Sequence, residues 1–185
     1  MTARRRDGFV DAELVAALSM IRDRGAIGER SLVDAIAHAD RFVTALPEAG
    51  HRLVDLGSGG GLPGLVIAVR RPDVAVTLVE RRRSRADLLR RAVSALGLDG
   101  VTVRDVDVAA LDREASTAFD VVTARSFASP AVTAGWIGRL LRVGGLGLVS
   151  EPPEPDERRW TAEMLAAAGL TDGGLVDGLR RLLKR

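Results

Sequence analysis

Asp55, a group of closely spaced glycines and Glu80 are the residues of this chain whose types and spacing suggest chemistry. Asp55 ends an apolar run within LVDLGSGGGLPG and is followed by Gly57, Gly59 and Gly61. Glycines let a main chain approach a ligand closely and adopt backbone angles that other residues resist. Glu80 ends the next apolar run, where a carboxylate can accept hydrogen bonds from both hydroxyls of a ribose. The pattern predicts a ligand site at the ends of two strands.

Two common glycine loops do not match this segment. A dinucleotide-binding loop has the pattern G-x-G-x-x-G, and counting from Gly57 places Leu62 where the third glycine belongs. A P-loop requires Lys and then Ser or Thr after G-x-x-x-x-G. Gly59 and Gly64 have that spacing, but two apolar residues follow, so the loop has no cation for a triphosphate.

The composition is that of a globular protein without cysteine chemistry. The 185 residues are 46% hydrophobic and include no cysteine, which excludes disulfides, thiolate metal sites and cysteine nucleophiles. Acids interrupt the basic N-terminal stretch, which argues against a signal peptide and against a membrane span. We expect a soluble, cytoplasmic single domain over 1–185, without a metal. Its predicted parts are a helical extension over 1–50, a ligand-binding core over 51–151 and closing elements over 152–185.

Arginine supplies nearly all of the positive charge. The pI is 10.2 although the formal net charge is only +2, because Lys184 is the only lysine and the chain has no Tyr or Cys. The arginines cluster in two places, at Arg4, Arg5 and Arg6 and at Arg81, Arg82, Arg83, Arg85, Arg90 and Arg91. Such clusters either contact phosphates or form a solvated helix face, and the sequence leaves both interpretations open.

Short apolar runs alternate with amphipathic stretches, which predicts an α/β fold with a mostly parallel central sheet and helices on both faces. Two helices are expected first, over Asp11–Arg24 and Glu29–Leu46. Five strands are expected over 52–57, 74–80, 100–106, 118–125 and 144–151. Connecting helices are expected over 62–71, 84–97 and 131–141, with Pro63 in the first turn of the first.

The C-terminal part is less regular. The pattern predicts a helix over Asp156–Ala168. Beyond it we favour a hairpin that turns at Asp177 and Gly178, with a final helix as the alternative. The prolines between 152 and 155 indicate a connection rather than a domain boundary.

The acid, the alternate glycines, the following helix start and the second acid together resemble the class I S-adenosylmethionine (AdoMet) methyltransferases. This resemblance implies their Rossmann-like fold and AdoMet as the cofactor. Asp55 would hold the amino group of AdoMet, directly or through water. Gly57 and Gly59 would pass beside its methionine part and ribose, and Glu80 would accept hydrogen bonds from the ribose hydroxyls.

A longer stretch is similar to one family. The segments VDLGSGGGLPG, TARSFA and LLRVGGLGLVS resemble the RsmG family, also called glucose-inhibited division protein B, over about Ser31–Ser150. The resemblance implies methylation at N7 of a guanine in small-subunit ribosomal RNA, and that RNA or the small subunit as the partner. The candidate cofactor residues are Asp55, Gly57, Ser58, Gly59, Gly61, Leu62, Glu80, Asp107, Val108, Ala109 and Arg125, of which Val108 and Ala109 would flank the adenine.

The chain departs from the family's pattern in several places. Asp107, Val108 and Ala109 stand where the family usually has Arg-Ala-Glu, and Ser150 and Glu151 stand where it tends to have Lys and Gly. An arginine-led start replaces an Asn-Leu-Thr element, and the C-terminal region is short. These differences concern the expected substrate side more than the glycine loop.

Methylation of guanine N7 removes no proton, so it needs alignment of the acceptor and exclusion of water rather than a base. We therefore predict no catalytic residue, and we expect Arg125 and Ser126 to orient the acceptor. Methylation of pyrimidine carbon 5 needs the cysteine nucleophile that this chain lacks. The segment ARSFASP also differs from the Asn/Asp-Pro-Pro-aromatic element common in exocyclic-amine methylation.

The histidines and aromatic residues are few. We expect structural rather than catalytic roles for His38 and His51. Phe127 lies beside the expected site, whereas core packing is expected for Trp136 and Trp160. This scarcity counts mildly against recognition of single-stranded RNA, although arginine planes can substitute.

Three functional hypotheses follow. The first is an RNA guanine-N7 methyltransferase like the family. The second is an AdoMet enzyme of the same fold that acts on a small molecule, as the altered start suggests. The third is a protein that binds AdoMet but has lost transfer activity, as Ala109 and Ser150 suggest. The oligomeric state is not predicted.

Overall fold

A computed structural model describes residues 3–28, 31–48, 51–115 and 119–185, without the side chains of 3–10, 114, 115 and 157. The strands in these ranges are β1 (Arg52–Leu56), β2 (Ala75–Val79), β3 (Val101–Arg104), β4 (Phe119–Ala124), β5 (Leu141–Ser150), β6 (Leu170–Val176) and β7 (Leu179–Lys184). They form one sheet in the order β3-β2-β1-β4-β5-β7-β6. Strands β1 to β5 are mutually parallel, and β6 and β7 are antiparallel to their neighbours. The predicted mostly parallel sheet is confirmed.

The helices in the same ranges are α1 (Ala3–Asp23), α2 (Leu32–Ala45), α3 (Gly64–Arg70), α4 (Arg83–Ala95), α5 (Val108–Ala115), α6 (Pro130–Leu140) and α7 (Ala162–Ala167). None of these described helices is both long and apolar enough to span a bilayer. The first four pack on one face of the sheet and the last three on the other. The first core lies between the sheet and α1 to α4, and the second core lies between the sheet and α5 to α7. Because successive strand side chains point to opposite faces, β1 contributes Leu53 to the first core and Val54 and Leu56 to the second.

The C-terminal hairpin is confirmed and the alternative helix is wrong. Val176 pairs with Leu179 across a two-residue turn. Asp177 and Gly178 have φ angles of 50° and 74°, the left-handed values that a tight hairpin turn requires at both central positions. The Asp-Gly dipeptide therefore sets the register of β6 against β7.

The bounds of three helices differ from the predictions. Helix α1 begins at Ala3, ahead of the expected Asp11. Helix α2 begins at Leu32, and Glu29, its predicted start, lies outside the described residues. Helix α3 begins at Gly64, so Pro63 precedes the helix instead of lying in its first turn. Terminal turns carry little apolar periodicity, which makes such bounds difficult to predict.

Helix α5 was missed, because its eight residues bury few apolar side chains and give too short a pattern. Strand β5 begins at Leu141, earlier than predicted, since the pairing with β4 continues through an irregularity beside Gly144 and Gly145. Helix α7 begins at Ala162 rather than Asp156. A short 3-10 turn fills part of the gap, and Thr161 caps α7 by accepting a hydrogen bond from the Met164 amide.

Candidate active site

The glycine loop follows β1 and closes against the end of β2. The Ser58 amide donates to the Val79 carbonyl at 2.9 Å, which holds the loop in place. Gly57 and Gly59 have φ angles of 63° and 54°, a region that side chains with a Cβ rarely adopt. A Cβ on Gly59 would meet nothing closer than 3.6 Å, so the outer side of the loop is an open cradle.

Asp55 lies under this loop with only 1% of its surface exposed. The Thr123 hydroxyl donates to its Oδ1 at 2.7 Å. Among the described residues no group makes a hydrogen bond of normal geometry to Oδ2. Burial raises the pKa of Asp55 from its ordinary value of 3.8 to about 6, and the hydrogen bond from Thr123 and the charge of Arg125 offset only part of the effect of burial. The site therefore holds a buried acid with an oxygen left to accept.

Gly64 completes the contact between the loop and Asp55. A Cβ at Gly64 would lie 2.8 Å from Oδ2 of Asp55 and 2.3 Å from a methyl group of Leu78. The last glycine of GLPG is therefore required by the close packing of the acid that precedes the loop.

Glu80 joins the glycine loop to the start of α4. The Gly59 amide donates to Oε2 at 3.1 Å, and the Arg82 amide donates to Oε1 at 2.8 Å. Glu80 is 6% exposed, and each carboxylate oxygen has a second lone pair that can accept from a hydroxyl. The structure thus brings Asp55, the glycines and Glu80 together at one edge of the sheet, as the sequence predicted.

The side chains of four other predicted cofactor residues are occupied by the protein. The Ser58 hydroxyl donates to the Asp55 carbonyl at 2.9 Å, and Leu62 packs against the first core. Asp107 accepts a hydrogen bond from the Ala109 amide at 2.9 Å and so caps α5. Val108 is buried in the second core. Contact of these residues with a cofactor, through their backbone, stays a prediction.

The end of β4 carries the predicted acceptor residues. Ser126 has a φ angle of 52°, a strained value for a residue other than glycine. This turn brings Phe127 back over the glycine loop, where a Cβ on Gly57 would lie 2.8 Å from its ring. Arg125 is half-buried, and its charge acts on Asp55.

A cleft of about 1260 Å³ adjoins Phe127. Its walls come from the segment after β4, the end of β5, one side of α2 and the β6–β7 turn. His38 and Ser150 face each other in it, with Nε2 and Oγ 2.9 Å apart. The structural role expected for His38 fits this link between α2 and β5, although the pairing with Ser150 was missed.

Glu151 organises the far wall of the cleft. Its side chain is 1% exposed, and its carboxylate accepts hydrogen bonds from Arg159 at 3.0 Å and from the indole of Trp160. The prolines after Glu151 predicted only a connection, and Glu151 itself stood out only as a departure from the family's pattern. An acid directly after the C-terminal end of a strand was the available signal, since ligands of open parallel sheets bind at that edge.

The predictions for His51 and for the two tryptophans have different outcomes. His51 precedes β1, at the opposite edge of the sheet from the glycine loop. Trp160 is 5% exposed in the second core, as expected. Trp136 is only half-buried, and the guanidinium of Arg139 lies 5.4 Å from its ring centre. Over the ranges that the structure describes, no three His, Asp or Glu side chains converge as metal ligands.

The arginine cluster of α4 is partly neutralised. Arg90 pairs with Asp87 and Asp105, each at 2.8 Å. Arg81, Arg82 and Arg83 are exposed beside Glu80. The side chains of Arg4, Arg5 and Arg6 lie outside the described residues. The geometry is compatible with both interpretations of the cluster.

The connection between α1 and α2 presses on the glycine loop at Gly60. A Cβ there would lie 2.2 Å from the Ile27 side chain and 2.8 Å from the Ala26 carbonyl. We expect Gly60→Ala to lower the free energy of unfolding by about 1 to 2 kcal/mol, because the carbonyl cannot rotate away. Urea denaturation measures this.

Gly135→Ala in α6 is the matched control for Gly60→Ala, since a Cβ at Gly135 would meet nothing within 4 Å. There the same change should leave stability unchanged or raise it by up to about 1 kcal/mol. Equal effects at the two positions would contradict the contact between Gly60 and Ile27.

The sheet order and the glycine loop define the class I AdoMet methyltransferase fold. One similar solved structure is the [4+2]-cyclase SpnF, with a TM-score of 0.64 and 24% sequence identity; the match covers 82% of this chain and 63% of that one. Another is geranyl diphosphate C-methyltransferase from Streptomyces coelicolor, with a TM-score of 0.60 and 22% sequence identity; the match covers 77% of this chain and 64% of that one. Identities this low support the fold alone, and a cyclase among them shows that the fold does not determine the reaction.

The family model for rRNA small subunit methyltransferase G matches residues 10–156. Ribosomal RNA small subunit methyltransferase G of Mycolicibacterium gilvum is 38% identical over 171 residues, covering 87% of this chain and 72% of the relative. The Rubrobacter xylanophilus protein of the same name is 39% identical over 121 residues, 64% of this chain but only 46% of the relative. The chain belongs to the rRNA small subunit methyltransferase G family, and it spans about half of the latter relative's length.

Proposed function

We propose that the protein transfers a methyl group from AdoMet to N7 of a guanine in small-subunit ribosomal RNA. One observation carries the proposal beyond family membership: the glycine loop meets the cleft directly, with Phe127 in contact with Gly57 on one side and lining the cleft on the other. A donor on the loop and an acceptor in the cleft would therefore be neighbours.

The residues present fit AdoMet. Oδ2 of Asp55 is a buried acceptor to which no described residue donates a hydrogen bond of normal geometry, which suits a cationic amino group. The open cradle at Gly59 leaves room for the methionine part and ribose, and Glu80 has lone pairs for the ribose hydroxyls. The Val108 and Ala109 backbone, at the start of α5, is our candidate for the adenine side.

The acceptor side needs positioning rather than proton transfer. Bound AdoMet supplies a methyl group on a sulfonium, which the N7 lone pair accepts as the S–C bond breaks, without release of a proton. Arg125 and Ser126, at the end of β4, are proposed to orient the base, and no residue is assigned as a base. The single-domain organisation over 1–185 stays a prediction.

The test is transfer of tritium from methyl-labelled AdoMet to small ribosomal subunits from a strain that lacks the gene. We expect label in 16S RNA, and 7-methylguanosine after nuclease digestion. Small subunits from the parent strain are the control, because their site is already methylated and should accept no label.

Other outcomes separate the three hypotheses. Label in metabolite pools but not in RNA would favour the small-molecule enzyme. Binding of S-adenosylhomocysteine without transfer to RNA, protein or metabolites would favour the binding protein. A protein that binds neither AdoMet nor S-adenosylhomocysteine would overturn the assignment of the glycine loop.

A further inference from the structure

Phe127 is held in an unusual place by strained backbone. The left-handed turn at Ser126, with φ of 52°, reverses the chain directly after β4. Such strain persists only where surrounding structure maintains it, and it concentrates at functional sites. Here the turn places an aromatic ring at the border of the second core and against Gly57.

The other aromatic side chains that the structure describes serve the cores. Phe42 and Phe119 are 0% and 3% exposed, and Trp160 is 5% exposed with its indole N–H bound to Glu151. Trp136 packs against the second core from α6. Phe127 also packs against the second core, and like Trp160 it lines the cleft, but it is half-buried there and its ring contacts Gly57.

The position of the ring matches what an acceptor base requires. A purine that enters the cleft needs a flat apolar surface to fix its plane, and stacking on an aromatic ring is how proteins usually hold an unpaired base. Because the Phe127 ring contacts Gly57, this flat apolar surface lies directly beside the glycine loop. Arg125 lines the same cleft, so the cleft also contains a donor for the polar edge of a base.

We propose that Phe127 is the stacking platform that orients the acceptor guanine toward the methyl donor. The inference rests on the proposed function for the identity of the base. It assigns Phe127 to the acceptor, so its loss should change recognition of RNA and leave the cofactor affinity unchanged.

The first test compares Phe127→Leu with Phe127→Tyr and Phe127→Trp. Leu keeps apolar bulk without an aromatic face, so we expect its kcat/KM for small subunits to fall by about 5- to 150-fold, the range for loss of one base stack. The Tyr and Trp variants should retain kcat/KM within about 3-fold, and all three should bind S-adenosylhomocysteine within about 2-fold of the original protein. Val132→Ala, at an exposed position on α6, is the matched control and should change neither quantity.

A parallel loss of S-adenosylhomocysteine affinity in Phe127→Leu would overturn the proposal, because the ring would then serve only to cover the glycine loop. Equal activity of the Leu and Tyr variants would also overturn it, since aromaticity would then be irrelevant.

The second test needs no methyl transfer. Protein with ¹³C-labelled phenylalanine, saturated with S-adenosylhomocysteine, is titrated with guanosine 5′-monophosphate and separately with cytidine 5′-monophosphate. The ring resonances that are missing from the Phe127→Leu spectrum should move upfield with the guanine nucleotide and much less with the cytosine nucleotide. Absence of any shift would overturn the stacking role. A shift in a protein that transfers no methyl group would overturn the proposed function and leave the platform intact.

Discussion

Asp55→Asn is expected to remove about 3 kcal/mol of pH-dependent destabilisation and to weaken AdoMet binding. The pKa of Asp55 is about 6 in the folded protein and 3.8 ordinarily. Below the lower value both states are protonated and Asp55 contributes nothing. Above the higher value it is ionised in both, and the full cost of burying the charge opposes folding. The stability of the original protein relative to the variant therefore falls as pH rises between these values.

Urea unfolding of both proteins at about pH 4.5 and about pH 7.5 measures this difference. The informative quantity is how much the difference in free energy of unfolding between the two proteins changes from the lower pH to the higher one. The difference at a single pH also contains the hydrogen-bonding cost of the Asn amide beside Gly64. A difference that is independent of pH would contradict the raised pKa of Asp55. AdoMet affinity of the original protein should also fall as pH drops below about 6, where Asp55 loses its charge.

Asp120→Asn is the control with the opposite sign. Burial raises the pKa of Asp120, but hydrogen bonds from the Arg52 amide and from Arg142 outweigh it, so the pKa is lowered. The stabilisation from Asp120 is present above the ordinary pKa and is lost as pH falls through the folded value. The two variants should therefore change the pH dependence of stability in opposite directions.

Glu80→Ala should weaken binding of S-adenosylhomocysteine by about 1 to 3 kcal/mol, roughly 5- to 150-fold. The variant loses the acceptor for ribose hydroxyls and leaves the Gly59 and Arg82 amides without their partner. Isothermal titration calorimetry measures the affinity, and faster hydrogen exchange at the Gly59 amide reports the loosened loop.

Asp87→Ala is the matched control for Glu80→Ala, because Asp87 is an exposed acid on α4, the helix that Glu80 precedes, and pairs with Arg90. We expect its affinity to stay within about 2-fold of the original, as a surface ion pair contributes little. An unchanged affinity in Glu80→Ala would remove Glu80 from the cofactor site.

The convergence of Asp55, the glycine loop and Glu80 at one edge of the sheet was predictable from sequence because its signals are local. Asp55, Gly57 and Glu80 each end or follow a β-strand, and the carboxyl ends of parallel strands meet at one edge of a sheet. The Asp-Gly pair set the C-terminal hairpin for the same local reason.

The cleft beside Phe127 was less predictable because its contacts join distant segments. No pattern in the sequence pairs His38 with Ser150 or brings Arg159 and Trp160 to Glu151. Helix α5 was not predicted because its eight residues give too short an apolar pattern to distinguish a helix from a loop. These contacts depend on tertiary packing between distant elements, which produces no local pattern in the sequence.

The contact between Ile27 and Gly60 gives the chain between α1 and α2 a second significance. These two residues touch without room for a methyl group, so a displacement of the loop must displace the connection as well. The proposed cofactor site therefore depends on a connection that carries none of its proposed binding residues. We expect a residue inserted or deleted in that connection to alter the position of the glycine loop and, through it, the binding of AdoMet.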